Sequence, residues 1–236
     1  MVRWRYNLRG GHNPFRQLHF VWTLDESKWQ PFPHSIVVDF ECYQRLKVTE
    51  DVTKEVQEIF DAGVTEPLGQ ELFREAWEQK NQNPRSALVV GIAAAETGFK
   101  ECLSKLEPSL DWFLEEIQSP PLVKMLRDYW PTLPKLPVVA GQKLIIPGDL
   151  IITLQKGITI RNNIVHGRQT KLSHDTLIGI LVAINDLLWL FDYAVGLGWS
   201  EFHTGNRVQT LVFGHPEKVS DEPNIKFKPL IMTEKF

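Results

Sequence analysis

Six consecutive residues, Arg161-Asn162-Asn163-Ile164-Val165-His166, hold three groups that phosphate chemistry uses: a guanidinium, an amide and an imidazole. Arginine presents a fork of N–H donors matched to phosphate oxygens. An imidazole changes charge near neutral pH, so it can move protons. On a helix turning about 100° per residue, Asn162 lies one turn before His166 on nearly the same line, where it can bond the ring or share a ligand with it. Arg161 raises a different question. Leu150, Leu154, Ile158 and Val165 make the apolar stripe of the same helix, and Arg161 stands near its middle. A guanidinium withdrawn from water needs an acceptor. Glu96, on the apolar side of its own helix beside Val89, Ile92 and Leu103, is the expected one. A plainer reading stands next to this one: an Arg–Glu pair inside a helical core and a histidine that ends a helix before Gly167.

Other chemistries find less support. His12, His19, His34, His174, His203 and His215 show no ligand spacing of the His-Glu-x-x-His kind, so no metal and no cofactor is expected. Gly10-Gly11 and Gly196-Leu197-Gly198 lack the strand, helix and lysine of a phosphate loop. Cys42 and Cys102 are too few for a disulfide scaffold or a four-thiolate zinc site, and both fall on apolar faces as small core residues. Trp22, Trp77 and Trp189 fit core positions; Trp130 and Trp199, at helix ends, are the better surface candidates of the set, with a packing anchor the first reading for both.

The elements that must position the motif are helical. Asp51 to Ala62 is a short amphipathic helix. Pro67 to Gln82 starts with proline in its first turn, where the missing N–H costs nothing. Asn83-Pro84 opens a long helix, Arg85 to Leu106, followed by shorter ones near 109–118 and 121–129. Trp130 to Pro137 carries three prolines, which predicts a non-helical loop reaching Pro147. The motif helix then runs from Gly148 to His166 and Gly167 closes it; Ser173 caps a last long helix to about Gly196 that is apolar almost all round. Such a helix is buried on every side or shared between subunits. Ahead of these helices, alternation predicts strands at Leu18–Leu24 and Ser35–Cys42 with a turn at Pro31-Phe32-Pro33, and Arg207–Phe213 reads as a third strand. The expected organisation is a β-rich segment at 1–49, a helical domain at 50–200 and an extension at 201–236. The fold class is mainly α, with α+β character overall from the small N-terminal β segment.

The 236 residues are 43% hydrophobic and 23% charged, which excludes a disordered or collagen-like chain. The start lacks the apolar run of a signal peptide, and Leu177–Val195 is interrupted by Asn185, Asp186 and Asp192, so a cytoplasmic protein without a membrane span is expected. A net charge of −3 argues at first against a nucleic-acid partner. That sum conceals a segregation. Residues 50–118 hold 15 acids and 6 bases, whereas 120–175, which contain the motif, hold 8 bases and 3 acids. Local sign governs the steering of a polyanion.

The motif matches the signature of the HEPN superfamily (higher eukaryote and prokaryote nucleotide-binding): an arginine, a polar residue, an interval of a few residues and a histidine. Pro67 to Gln82 followed by Arg85 to Glu96 resembles the first helix pair of stand-alone bacterial members, and Asp175 to Val195 resembles their final helix. The resemblance covers about residues 67–198. It implies an antiparallel helical bundle and a metal-independent ribonuclease that acts as a homodimer, with two motifs facing each other across the interface. His166 would then take or give the proton as a ribose 2′-hydroxyl attacks the adjacent phosphate. Arg161 would hold the phosphate or its developing charge, and Asn162 would orient His166 or the substrate. Glu96, Asn163 and Arg168 would support them. RNA is the implied substrate, a toxin or defence role the implied setting, and an antitoxin or regulatory protein a compatible partner. The family also contains inactive members that dimerise or bind RNA or nucleotides, which is the alternative; a purely structural helical adaptor is a third reading.

Overall fold

Asn83 accepts the backbone N–H of Ser86 at 3.4 Å and Pro84 takes the first helical position, so the longest helix starts where its sequence signals say it should. The computed structural model describes residues 2–5, 7, 21–22, 30–31, 50–168 and 171–216. In chain order these form α1 (Val2–Arg5), β1 (Val21–Trp22), β2 (Gln30–Pro31), α2 (Glu50–Asp61), α3 (Leu68–Gln79), α4 (Pro84–Leu106), α5 (Asp111–Glu116), α6 (Leu122–Lys124), β3 (Val138–Val139), β4 (Gln142–Lys143), α7 (Gly148–Val165), α8 (His174–Ala194) and α9 (Asn206–Phe213). The described chain is mainly α; its strands form two isolated two-residue pairs.

α3 and α4 form an antiparallel hairpin that packs on α8, and α7 lies against α8 and α4. Small residues set this spacing. A Cβ added to Gly69 would stand 2.7 Å from the Gly98 Cα, one added to Gly98 would meet Leu188, and one added to Gly157 would meet Ile180. α3 has no cap of its own, because Pro67 offers no side-chain acceptor. Glu101 of α4 supplies it, receiving the N–H groups of Leu68 at 2.9 Å and Gly69 at 3.0 Å. A carboxylate there also meets the positive end of the helix dipole.

α8 is the centre of the core. Ser173 accepts the Thr176 N–H at 3.3 Å to start it, and nearly every residue from Ile180 to Phe191 is buried. Its length and composition would suffice to cross a membrane, yet 78% of the apolar window is buried inside the fold, as in a core helix. Exposure is confined to one strip, Asp175, Gly179 and Val182, beyond its first residue.

Several expectations are corrected. Arg207–Phe213 lies in α9 rather than a strand; Val208 and Val212 recur four apart on its buried face, and Gly214 ends it at φ 72°. The proline-rich stretch is not free of helix: Trp130–Thr132 forms a 3₁₀ turn with Pro131 where its missing N–H is harmless. Trp130 is wholly buried, its indole donating to Leu144 O at 2.9 Å, so of its two readings the packing anchor holds and the surface role does not. The loop beyond it carries the β3–β4 hairpin, turned by Ala140 and Gly141 at positive φ. β1 falls inside the first expected strand but pairs with Gln30–Pro31, which overlaps the expected turn at Pro31; Pro31 is tolerated at the end of so short a ladder. The expected strand at Ser35–Cys42 and residues 217–236 lie outside the described residues.

Candidate functional site

α7 delivers the motif, and its two faces divide the work. Leu150, Leu154 and Gly157 are buried against the bundle, with Ile158 and Ile164 half-buried beside them. Ile152, Lys156, Thr159, Asn162 and His166 lie along the outer face in solvent. Val165, expected in the apolar stripe, is 60% exposed and is corrected to the surface, because it falls outside the arc that α4 and α8 cover.

Arg161 is half-buried on the inner side. Its Nη2 donates to Glu96 Oε1 at 2.7 Å, joining α7 to α4, and the two side chains keep 22% and 15% of their accessibility. The same Glu96 oxygen accepts the hydroxyl of Ser119 at 3.1 Å. Ser119 lies in the turn after α5, which Lys100 of α4 also holds by donating to Ile117 O. Arg161 Nε is buried and finds no partner. Nothing in the residue types near Ser119 marked it for this position; a serine between glutamine and proline carries no such signal.

The end of α7 has a defined geometry. His166 is the C-cap, its N–H bonded to Asn162 O at 3.0 Å. Gly167 follows in the left-handed region at φ 69°, and its N–H bonds Ile164 O at 3.0 Å. The N–H of Arg168 returns to Asn163 O at 2.7 Å. These two crossed bonds are a Schellman motif, which fixes the direction in which the chain leaves the helix. Asn162, His166 and Arg168 are exposed there and Asn163 is half-buried. The six candidate residues therefore fall into two groups: Arg161 with Glu96 inside, and Asn162, Asn163, His166 and Arg168 at the helix end. Among the described residues no cluster of three or more His, Cys, Asp and Glu could hold a metal ion.

A second polar cluster escaped the sequence reading. Asp192 of α8 is buried, and its Oδ2 accepts the Trp4 indole N–H at 3.0 Å and the Gln70 amide at 2.9 Å. Burial pushes its carboxyl up to about 7, against the two hydrogen bonds that favour the ionised form. Asp192, Gln70, Glu101, Cys102 and Lys105 line a small cleft between α3, α4 and α8 that none of the motif residues reaches. Burial also pushes the Cys102 thiol far up, which leaves it inert. Trp4 further packs edge-on against Trp199 with ring centroids 5.2 Å apart, and Arg5 lies over the Trp199 ring at 4.5 Å.

No protein-family model matches this chain, and no curated protein or solved structure matches it either.

Proposed function

We propose that this chain is a HEPN-type endoribonuclease working as a homodimer, in which His166 and Arg161 assist attack of a ribose 2′-hydroxyl on the neighbouring phosphate. The observation that carries the reading is the exposure of His166 and Asn162 on a rigidly capped helix end, with Arg161 fixed behind them by Glu96. An exposed imidazole can reach a substrate; one sealed in a dry core could not. In the reaction the 2′-oxygen bonds to phosphorus, its proton passes to an imidazole, and the 5′-oxygen leaves with a proton from an imidazole. Two motifs in a dimer supply one group for each transfer. The nucleophile is the substrate's own 2′-hydroxyl, and its attack leaves a 2′,3′-cyclic phosphate on one fragment and a 5′-hydroxyl on the other.

Dimerisation is supported by what the bundle leaves uncovered. α8 exposes only its first residue and the strip of Asp175, Gly179 and Val182, and Ile152 and Val165 of α7 are 72% and 60% exposed. Gly179 has nothing within 4 Å of an added Cβ, so a second backbone could approach closely.

The test is incubation with end-labelled single-stranded RNA, with and without chelator. Wild type yields fragments ending in 2′,3′-cyclic phosphate, and His166→Ala yields none while keeping its helical circular dichroism. Wild type leaving RNA intact in both conditions would refute the reading. A second reading, an inactive HEPN-type dimerisation or RNA- or nucleotide-binding module, draws on the Arg161–Glu96 pair, which engages the guanidinium internally.

A further inference from the structure

The Schellman turn brings a charged group to the motif that the six-residue signature does not include. In such a turn the side chains of the third-last helical residue and of the residue after the glycine come together, usually as an apolar contact. Here those positions are Asn163 and Arg168, both polar, on a turn fixed by the 2.7 Å bond between their backbones. An apolar pair would have sealed the helix end. A polar pair leaves it open to a ligand.

Three physical facts separate the two arginines. Nη2 is the nitrogen shared by both two-pronged edges of a guanidinium, and in Arg161 it already serves Glu96. Arg161 Nε is buried, so the edge it forms with Nη2 cannot face a ligand. A phosphate brought to Arg161 would also stand close to the Glu96 carboxylate, where like charges repel. Arg168 has none of these constraints: it is exposed and has no ion pair among the described residues. The C-terminal end of α7 is the negative end of the helix dipole, equivalent to roughly half an elementary charge. An anion settles there only if a cation offsets that charge, and Arg168 stands two residues from His166.

We infer that Arg168 is the residue that contacts an RNA phosphate at this site, and that Arg161 is a positioning residue that fixes α7 through Glu96. The inference rests on the ribonuclease reading and departs from the signature's own division of labour.

The experiment measures anisotropy of a fluorescein-labelled single-stranded RNA across a sodium chloride series, alongside cleavage rates and melting temperatures. Arg168→Ala is expected to weaken binding at least tenfold with an unchanged melting temperature. It also flattens the plot of log K against log salt by about 0.7, the loss of one phosphate contact on a single strand. Arg161→Ala is expected to lose cleavage while keeping the wild-type salt slope, and Arg161→Lys, which retains a charge for Glu96, recovers part of the rate. If wild type binds and cuts RNA and Arg168→Ala equals it in affinity and slope, the inference falls while the ribonuclease reading stands. A slope that drops in Arg161→Ala and not in Arg168→Ala overturns it as well. Wild type neither binding nor cutting RNA overturns both.

Discussion

Arg161 and Glu96 are bonded Nη2 to Oε1 at 2.7 Å although 65 residues separate them, and with Ser119 on the same oxygen they tie α7 and the turn after α5 to α4. Most of both side chains is out of water, so removing one partner strands the other.

Glu96→Ala should therefore lower the unfolding free energy by about 1.5–3 kcal/mol, the range for a hydrogen bond to a charged group. Pairing Glu96→Leu with Arg161→Met should cost less than the sum of the single changes. Urea unfolding of the four proteins measures the coupling; strictly additive values would show that the pair contributes no mutual stabilisation.

Val182→Lys places a charge on the exposed strip of α8, where Val182 is 40% exposed. Sedimentation of wild type at micromolar concentration should give twice the 27.2 kDa chain mass, and the variant a monomer with unchanged circular dichroism. A monomeric wild type would remove the shared-interface part of the functional proposal.

Asp192 makes stability depend on pH with a definite sign. Its carboxyl rises from 3.8 to about 7 on folding, so between those values the native state holds more protons than the unfolded chain. Stability from this group is thus full below about pH 4 and is lost as pH climbs through 7. Asp192→Asn, which cannot ionise, should melt close to wild type at pH 4–5 and several degrees above it at pH 8. A melting difference that stays flat with pH would contradict this assignment.

Gly69→Ala forces a methyl group onto the Gly98 backbone, where no side chain can rotate away. The expected cost is about 1–3 kcal/mol, as for other overpacked cores. For a chain of this size that corresponds to a drop in melting temperature of about 2–4 °C per kcal/mol. An unchanged melting temperature would mean that α3 and α4 separate more easily than their spacing indicates.

What the sequence made legible was local. Asn83-Pro84, Gly167 and Ser173 mark helix ends through their own backbones, and all three act at those ends in the fold. Arg161 and Glu96 could be paired in advance because a charge on an apolar face demands an opposite charge on a facing one. Legibility failed where distant packing decides. Arg207–Phe213 carries both an alternating and a helical pattern, and packing against α8 and the turn after it selects the helix. Val165 fits an apolar stripe by angle but lies past the edge of what α4 and α8 cover. Asp192, Gln70 and Trp4 share no local pattern, since their partners are 122 and 188 residues away.

That last separation bears on how the protein is made. Trp4 leaves the ribosome well ahead of its acceptor, which is synthesised 188 residues later. At about 5–20 residues per second the tryptophan waits on the order of ten to forty seconds before Asp192 exists. During that interval an indole and its arginine neighbours travel without their native seat, open to chaperones or to any other acceptor. The junction of α1 with α8 thus closes only after α8 has been made, and docking of α1 reports that the chain between them is in place.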